Sequence, residues 1–130
     1  MGKLKIGVFG VGRGIEIAQN FKMLNCEIVA MCDERKARMD EAIKKMNDST
    51  IAIYDNFDEF IHHDMDAVIL ANFFHEHSKY AIKCMEKGIH VMVEKPAGVY
   101  TKQVREMNEE AKKHNVIFGM MFNQRTNYTM

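Results

Sequence analysis

The stretch Asp66–Gly98, "DAVILANFFHEHSKYAIKCMEKGIHVMVEKPAG", decides how this chain is read. It opens on 66–71, "DAVILA", whose apolar residues after Asp66 are too few for a helix and unbroken, as in a strand covered on both faces. Ala81, Cys84 and Met85 then recur at helical steps, and Gly88 falls where such a helix would end. A second apolar run, "HVMVE" at 90–94, follows at once. Strand, helix and strand in about thirty residues make the crossover unit of a parallel sheet. Sheets of that kind bind ligands outside the carboxyl ends of their strands. The second run ends there with Glu94, Lys95 and Pro96, the chain's single proline.

Working outward, similar runs occur at 5–10, 27–32, 51–54 and 116–122. Helical stripes fill the gaps: Ile17, Phe21 and Leu24; Met39, Ala42, Ile43 and Met46; Val104, Met107 and Ala111. A short helix is predicted after Asn56, whose side chain caps it while Glu59 completes a capping box. Alternation of this kind predicts an α/β fold, a doubly wound parallel sheet with strand order 3-2-1-4-5-6, forming one domain over residues 1–130.

Composition narrows the partners. The 130 residues carry 18 Lys plus Arg against 18 Asp plus Glu, and 47% of them are hydrophobic. A zero balance argues against nucleic acid and against an anionic membrane, both of which select a basic excess. Cys26, Cys32 and Cys84 are odd in number and lack metal-ligand spacing, so buried, reduced thiols are expected. The N-terminal apolar run is short and interrupted by Gly7, Gly10 and Gly12, and nothing approaches the ~20 apolar residues of a membrane span. The expectation is a soluble, cytoplasmic protein. Its twelve methionines are spread along helical stripes and strands, as core filler.

"GVFGVGRGIEIA", at 7–18, lies between the first strand and the first helix. Gly10 suits the tight turn, and Gly12 lets the backbone approach a pyrophosphate, which the helix N-terminus then attracts. A full G-x-G-x-x-G pattern would need glycine at Ile15; here Gly14 comes one position early. The candidate cradle is therefore Gly10, Gly12, Arg13, Gly14 and Ile15. Asp33 closes the second strand about twenty residues on, where a carboxylate can accept both hydroxyls of an adenosine ribose. It would also repel a 2′-phosphate, which favours NAD. Arg35 and Lys36 just beyond it keep NADP possible, and Asp33 can alternatively cap the helix that follows.

These segments resemble the N-terminal Rossmann domain of the Gfo/Idh/MocA oxidoreductases, the family of glucose–fructose oxidoreductase and inositol dehydrogenase. The resemblance runs without a gap through Asp66–Gly98, including His77, Ala81, Gly88, His90, Val91 and the Glu94-Lys95-Pro96 triplet. "GVFGVGRG", "VAMCD" and the closing "GMMFNQRTNY" fit as well. Asn72-Phe73-Phe74 departs from it, standing where the family has Thr-Pro and a small or polar residue.

The resemblance implies a nicotinamide cofactor lying along Asn72, Phe73, His77 and Glu94. It further implies that Lys95 meets the reacting hydroxyl, its ammonium bonding a developing alkoxide or carbonyl oxygen. Pro96 restrains the backbone of Lys95. No metal is expected at His75 and His77. His62 and His63 are read as the end of a short helix, where imidazoles suit the dipole. Asn123 and Arg125 follow the last strand, as cleft or as solvated loop residues.

The implied reaction is hydride transfer between the nicotinamide and a secondary alcohol of a sugar, cyclitol or related polyhydroxy compound. Family members continue into a C-terminal α/β domain that supplies most of the substrate pocket and the oligomer interface. This chain ends at Met130, so the expectation is a cofactor domain that binds NAD without turnover and belongs to a homo-oligomer. The alternative is a non-catalytic nucleotide-binding or sensing module.

Overall fold

A computed structural model of the chain describes residues 4–11, 26–47, 49–71, 77–95 and 101–122. Six strands form one sheet: β1 (Leu4–Phe9), β2 (Cys26–Cys32), β3 (Ala52–Tyr54), β4 (Ala67–Leu70), β5 (His90–Lys95) and β6 (Phe118–Phe122). Every pairing is parallel and the order is β3-β2-β1-β4-β5-β6, as the alternation predicts. The described helices are α1 (Lys36–Met46), α2 (Phe57–Phe60), α3 (His77–Glu86) and α4 (Thr101–His114). The stripe Ile17, Phe21 and Leu24 lies outside the described residues.

The sheet separates two cores. Phe9, Ala30, Cys32, Val68, Leu70, Val91 and Val93 face α2, α3 and α4, meeting Phe57, Phe60, Ala81, Cys84, Met85, Met107 and Ala111. Ile6, Val8, Cys26, Ile28, Met31 and Ile69 face the other way, toward Met39, Ala42 and Met46 of α1. Ile43 is 44% exposed, against expectation. The narrower stripe of Met39, Ala42 and Met46 is enough to cover Ile28, Met31 and Ile51 near the sheet edge. In β2 the parity changes partway: Ile6 pairs with Ile28 but Gly7 with Ala30, leaving Val29 as an extra residue. Cys26 and Ile28 therefore share a face with Met31, while Ala30 and Cys32 take the opposite one.

Local chemistry ends the helices where it must. Gly88 has φ +78°, its amide bonds the Met85 carbonyl at 2.9 Å, and the Ile89 amide bonds Cys84 at 3.0 Å, a Schellman closure. Asn115, at φ 57°, ends α4 in the same way, with Val116 reaching Ala111 at 3.0 Å. Because Val116 is consumed by that closure, β6 begins at Phe118 rather than at 116. Asn56 caps α2 as predicted, its Oδ1 accepting the Glu59 amide at 3.0 Å. α2 then stops at Phe60, so His62 and His63 sit in the turn beyond it. The His63 Nδ1 is 2.9 Å from the Tyr54 hydroxyl, and the His62 Nδ1 accepts from Lys87 Nζ at 3.1 Å. Both imidazoles, in the turn that closes α2, thus also have side-chain partners.

Gly7 is required by space. A Cβ there would come within 2.2 Å of Met65 Sδ and 2.9 Å of Phe60 Cζ, and Phe60 is completely buried. Gly88 is required by conformation alone, since nothing lies within 4 Å of its would-be Cβ. We expect Gly7→Ala to lower stability by about 1–3 kcal/mol through overpacking. Gly88→Ala should cost about 1–2 kcal/mol through left-handed strain, and Gly88→Asn less than Gly88→Ala. Urea unfolding of the three variants would show the ranking.

The three cysteines are buried thiols, as expected. Burial pushes Cys84 up to about 12. Burial, then the charges of Asp33, Glu34 and Asp55, push Cys32 up to about 12 as well. A folded pKa raised above the unfolded value of 9.0 adds stability that is complete below pH 9 and is lost as pH climbs toward 12. Stability measured by urea titration should therefore fall across that window, and Cys84→Ala should flatten the decline.

Candidate functional site

Parallel pairing brings all the strand exits to one edge. Phe9, Cys32, Tyr54 and Leu70 are in register across β1, β2, β3 and β4, and Val93 of β5 pairs with Leu70. β5 continues past that line through Glu94 and Lys95, which pair with Met121 and Phe122 of β6. The strand thus runs one residue beyond the expected 94, because β6 supplies a partner for it. Gly10, Asp33 and Lys95 consequently leave the sheet on the same side, with β4 alone between β1 and β5.

The first of these exits is built around a turn. Gly10 has φ +92°, a conformation that side chains resist, and its amide donates to the Cys32 carbonyl at 2.9 Å. Val11 is buried, and its amide donates to Asp33 Oδ2 at 3.1 Å. Beneath the turn Phe9 is clamped in an aromatic cluster, with ring centroids 4.9 Å from Phe57 and 4.8 Å from Tyr80. Sequence reading did not single out that cluster; its signal is an aromatic residue directly before the turn glycine. Gly12, Arg13, Gly14 and Ile15 lie outside the described residues.

Asp33 is the second exit and the only charged or polar residue that is buried among those described, at 5% exposure. Its amide donates to the Tyr54 carbonyl at 3.2 Å, extending the β2–β3 ladder. Oδ2 accepts Val11, as above. Oδ1 accepts the Arg35 amide at 2.9 Å and the Arg35 Nε at 3.2 Å. A buried carboxylate must be satisfied in this way or neutralised. The residue capping α1 is Arg35, with extended backbone angles and no side-chain cap bond. Asp33 therefore shapes the turn before the helix, through an Asx-type bond to the second residue on, instead of capping the helix.

The remaining candidates are only partly covered by the described residues. His77 begins α3, and Glu94 and Lys95 end β5; their backbone places them at the same edge. Asn72, Phe73, His75, Pro96, Asn123 and Arg125 lie outside the described residues. His90, part of the family-like stretch, belongs to the opposite end of β5. Its Nδ1 accepts the Ile117 amide at 2.9 Å, so it fastens the start of β6 and takes no part in the site. An open cavity of about 220 Å³ is also at that far end, lined by residues including His62, His63, Asp64 and Lys87.

An edge of this kind, with a glycine turn, a buried acid after the second strand and a lysine at the end of the fifth, suits an extended nucleotide laid across the strand ends. Similarity to known proteins agrees. A myo-inositol 2-dehydrogenase of Thermotoga maritima is 35% identical over 125 residues, covering 94% of this chain and 37% of that protein. A glycosyl hydrolase family 109 protein of a Shewanella species is 30% identical over 92% of this chain and 28% of its own length. The chain thus spans about a third of the length of these relatives. Among solved structures, scyllo-inositol dehydrogenase from Lactobacillus casei with bound NAD(H) and scyllo-inositol superimposes with TM-score 0.77 at 26% identity. It covers 91% of this chain and 36% of the other. The family model for Gfo/Idh/MocA, described as an oxidoreductase family with an NAD-binding Rossmann fold, matches residues 4–122, and the chain belongs to that family.

Proposed function

We propose that this chain is the cofactor-binding part of a dehydrogenase that moves a hydride between NAD(H) and a secondary alcohol of a polyhydroxy ring compound, a sugar or a cyclitol. The observation that carries the proposal is the common edge: Gly10 and Asp33 directly follow β1 and β2, and Lys95 ends β5, all on one side of a parallel sheet. The names of its relatives support the substrate class, since an inositol dehydrogenase and a glycosyl hydrolase both handle hydroxylated rings.

In this reading the diphosphate rests on the backbone amides that follow Gly10, through Gly12, Arg13, Gly14 and Ile15. The Asp33 carboxylate retains acceptor capacity toward the adenosine ribose. Asn72, Phe73, His77 and Glu94 line the nicotinamide half. Lys95 is the catalytic residue: its ammonium hydrogen-bonds the substrate oxygen and stabilises the charge that develops there as the carbon–hydrogen bond breaks. The nicotinamide, when bound, accepts or returns the hydride.

Hydride transfer needs the substrate held in a near-attack arrangement. We assign most of that grip to residues outside these 130, so the chain alone binds NAD(H) without turning substrate over. The oligomer interface is assigned there too.

Fluorescence titration of the chain with NADH tests the binding half. Asp33→Ala should weaken NADH at least tenfold, the value of a charge-assisted hydrogen bond lost together with its hold on Val11. Undiminished binding in that variant would remove Asp33 from the site. For the catalytic half, Lys95→Met placed in the whole enzyme should lower kcat by about 10²–10³ while NADH affinity changes little. A chain that binds NADH tightly, but whose Lys95 variant loses nothing in the whole enzyme, would instead be a binding or sensing module.

A further inference from the structure

At the end of the sheet opposite the strand exits, the turn after α2 and the turn between α3 and β5 border the open cavity of about 220 Å³. Ile61, Met65 and Ile89 are the buried part of its wall, and His62, His63, Asp64 and Lys87 the polar part. The charges of that wall do not cancel one another. Asp64 is engaged by Lys5, on the neighbouring strand β1. Among the described residues Lys87 has no carboxylate within ion-pair reach; its ammonium donates to the His62 Nδ1 at 3.1 Å. The carbonyls that end α3 beside it are taken by amides. Cys84 accepts Lys87 and Ile89 at 3.0 Å, and Met85 accepts Gly88 at 2.9 Å. Lys87 therefore brings an uncancelled positive charge to the cavity.

The same bond fixes the proton on His62. An ammonium can only donate, so the Nδ1 of His62 is the bare acceptor and its hydrogen is on Nε2. Two N–H groups of Lys87 and one of His62 remain without a partner among the described residues. His63 is held separately, by the Tyr54 hydroxyl at 2.9 Å. We infer that this cavity binds the phosphate group of a small phosphorylated molecule, with Lys87 as the counter-charge and the His62 Nε2–H as a further donor. A phosphate monoester offers three acceptor oxygens to these donors, where a carboxylate offers two. The cavity is smaller than the roughly 300–1,000 Å³ of pockets for drug-sized ligands, so little more than the phosphate and a short organic part would fit. The site is at the other end of β5 from Lys95 and does not depend on the nucleotide reading.

The test is a titration of the isotope-labelled chain with inorganic phosphate, read residue by residue from backbone amide NMR shifts. Acetate at matched ionic strength is the comparison. Phosphate should move the His62, His63 and Lys87 amides along a saturating curve with Kd of about 1 mM, as expected of a few exposed charge-assisted bonds. Lys87→Met keeps the backbone closure of α3 and should weaken that binding about tenfold. Lys83→Met, one turn earlier on α3 and paired with Asp58 at 3.8 Å, should leave it unchanged. Shifts that never saturate, that are confined to residues 10–15, or that weaken equally in both variants would overturn the inference. Acetate binding the same amides as tightly would overturn the assignment to phosphate. None of these results bears on the nucleotide edge, which the NADH titration tests by itself.

Discussion

The bond between the Val11 amide and the Asp33 carboxylate holds the working edge of this molecule together. It joins the turn after β1 to the exit of β2, two segments whose strands are already in register as far as Phe9 and Cys32. With the Gly10 amide bond to the Cys32 carbonyl, it fixes how the start of the glycine turn lies over the strand ends. The carboxylate is buried, so it needs these donors as much as they need it. That mutual requirement lets one side chain both set a loop and present a charged acceptor at its rim.

β5 shows a division of labour along a single strand. Its first residue, His90, fastens Ile117, and its last two, Glu94 and Lys95, are held out beyond β4 by pairing with β6. About 16 Å separates the two ends at the usual rise per residue. Family-like His90 at the first end stabilises the fold; Glu94 and Lys95 at the second stand at the exit edge of the sheet. Sequence similarity by itself makes no distinction between these two kinds of match.

Much of this was legible in the sequence. Short apolar runs between helical stripes led to the parallel sheet and its order, because strands covered on both faces have no polar side to show. Gly88 and Asn56 could be read because their conformational roles belong to the residue types themselves. Ile43 could not, since its exposure depends on how little of α1 is needed to cover the sheet near its edge. The Asx-type turn at Asp33 and the return of the Arg35 side chain were equally hidden. Both depend on where α1 starts, a matter of one or two residues that periodicity does not resolve. The acid itself was found by its spacing from the glycine turn; its bonding was not.

The extra residue in β2 carries a consequence for the direction of that acid. Side chains alternate along a strand, so inserting Val29 exchanges the two faces for everything after it, down to the strand's exit. Met31 joins Ile28 on the α1 side, and two residues on Asp33 emerges on that side too, where the Val11 amide awaits it. An uninterrupted ladder would turn the carboxylate toward the opposite core, the side of Phe9 and Phe57, away from the Val11 amide. A defect in the pleat is thus what steers a charge out of the oily layer and toward the rim.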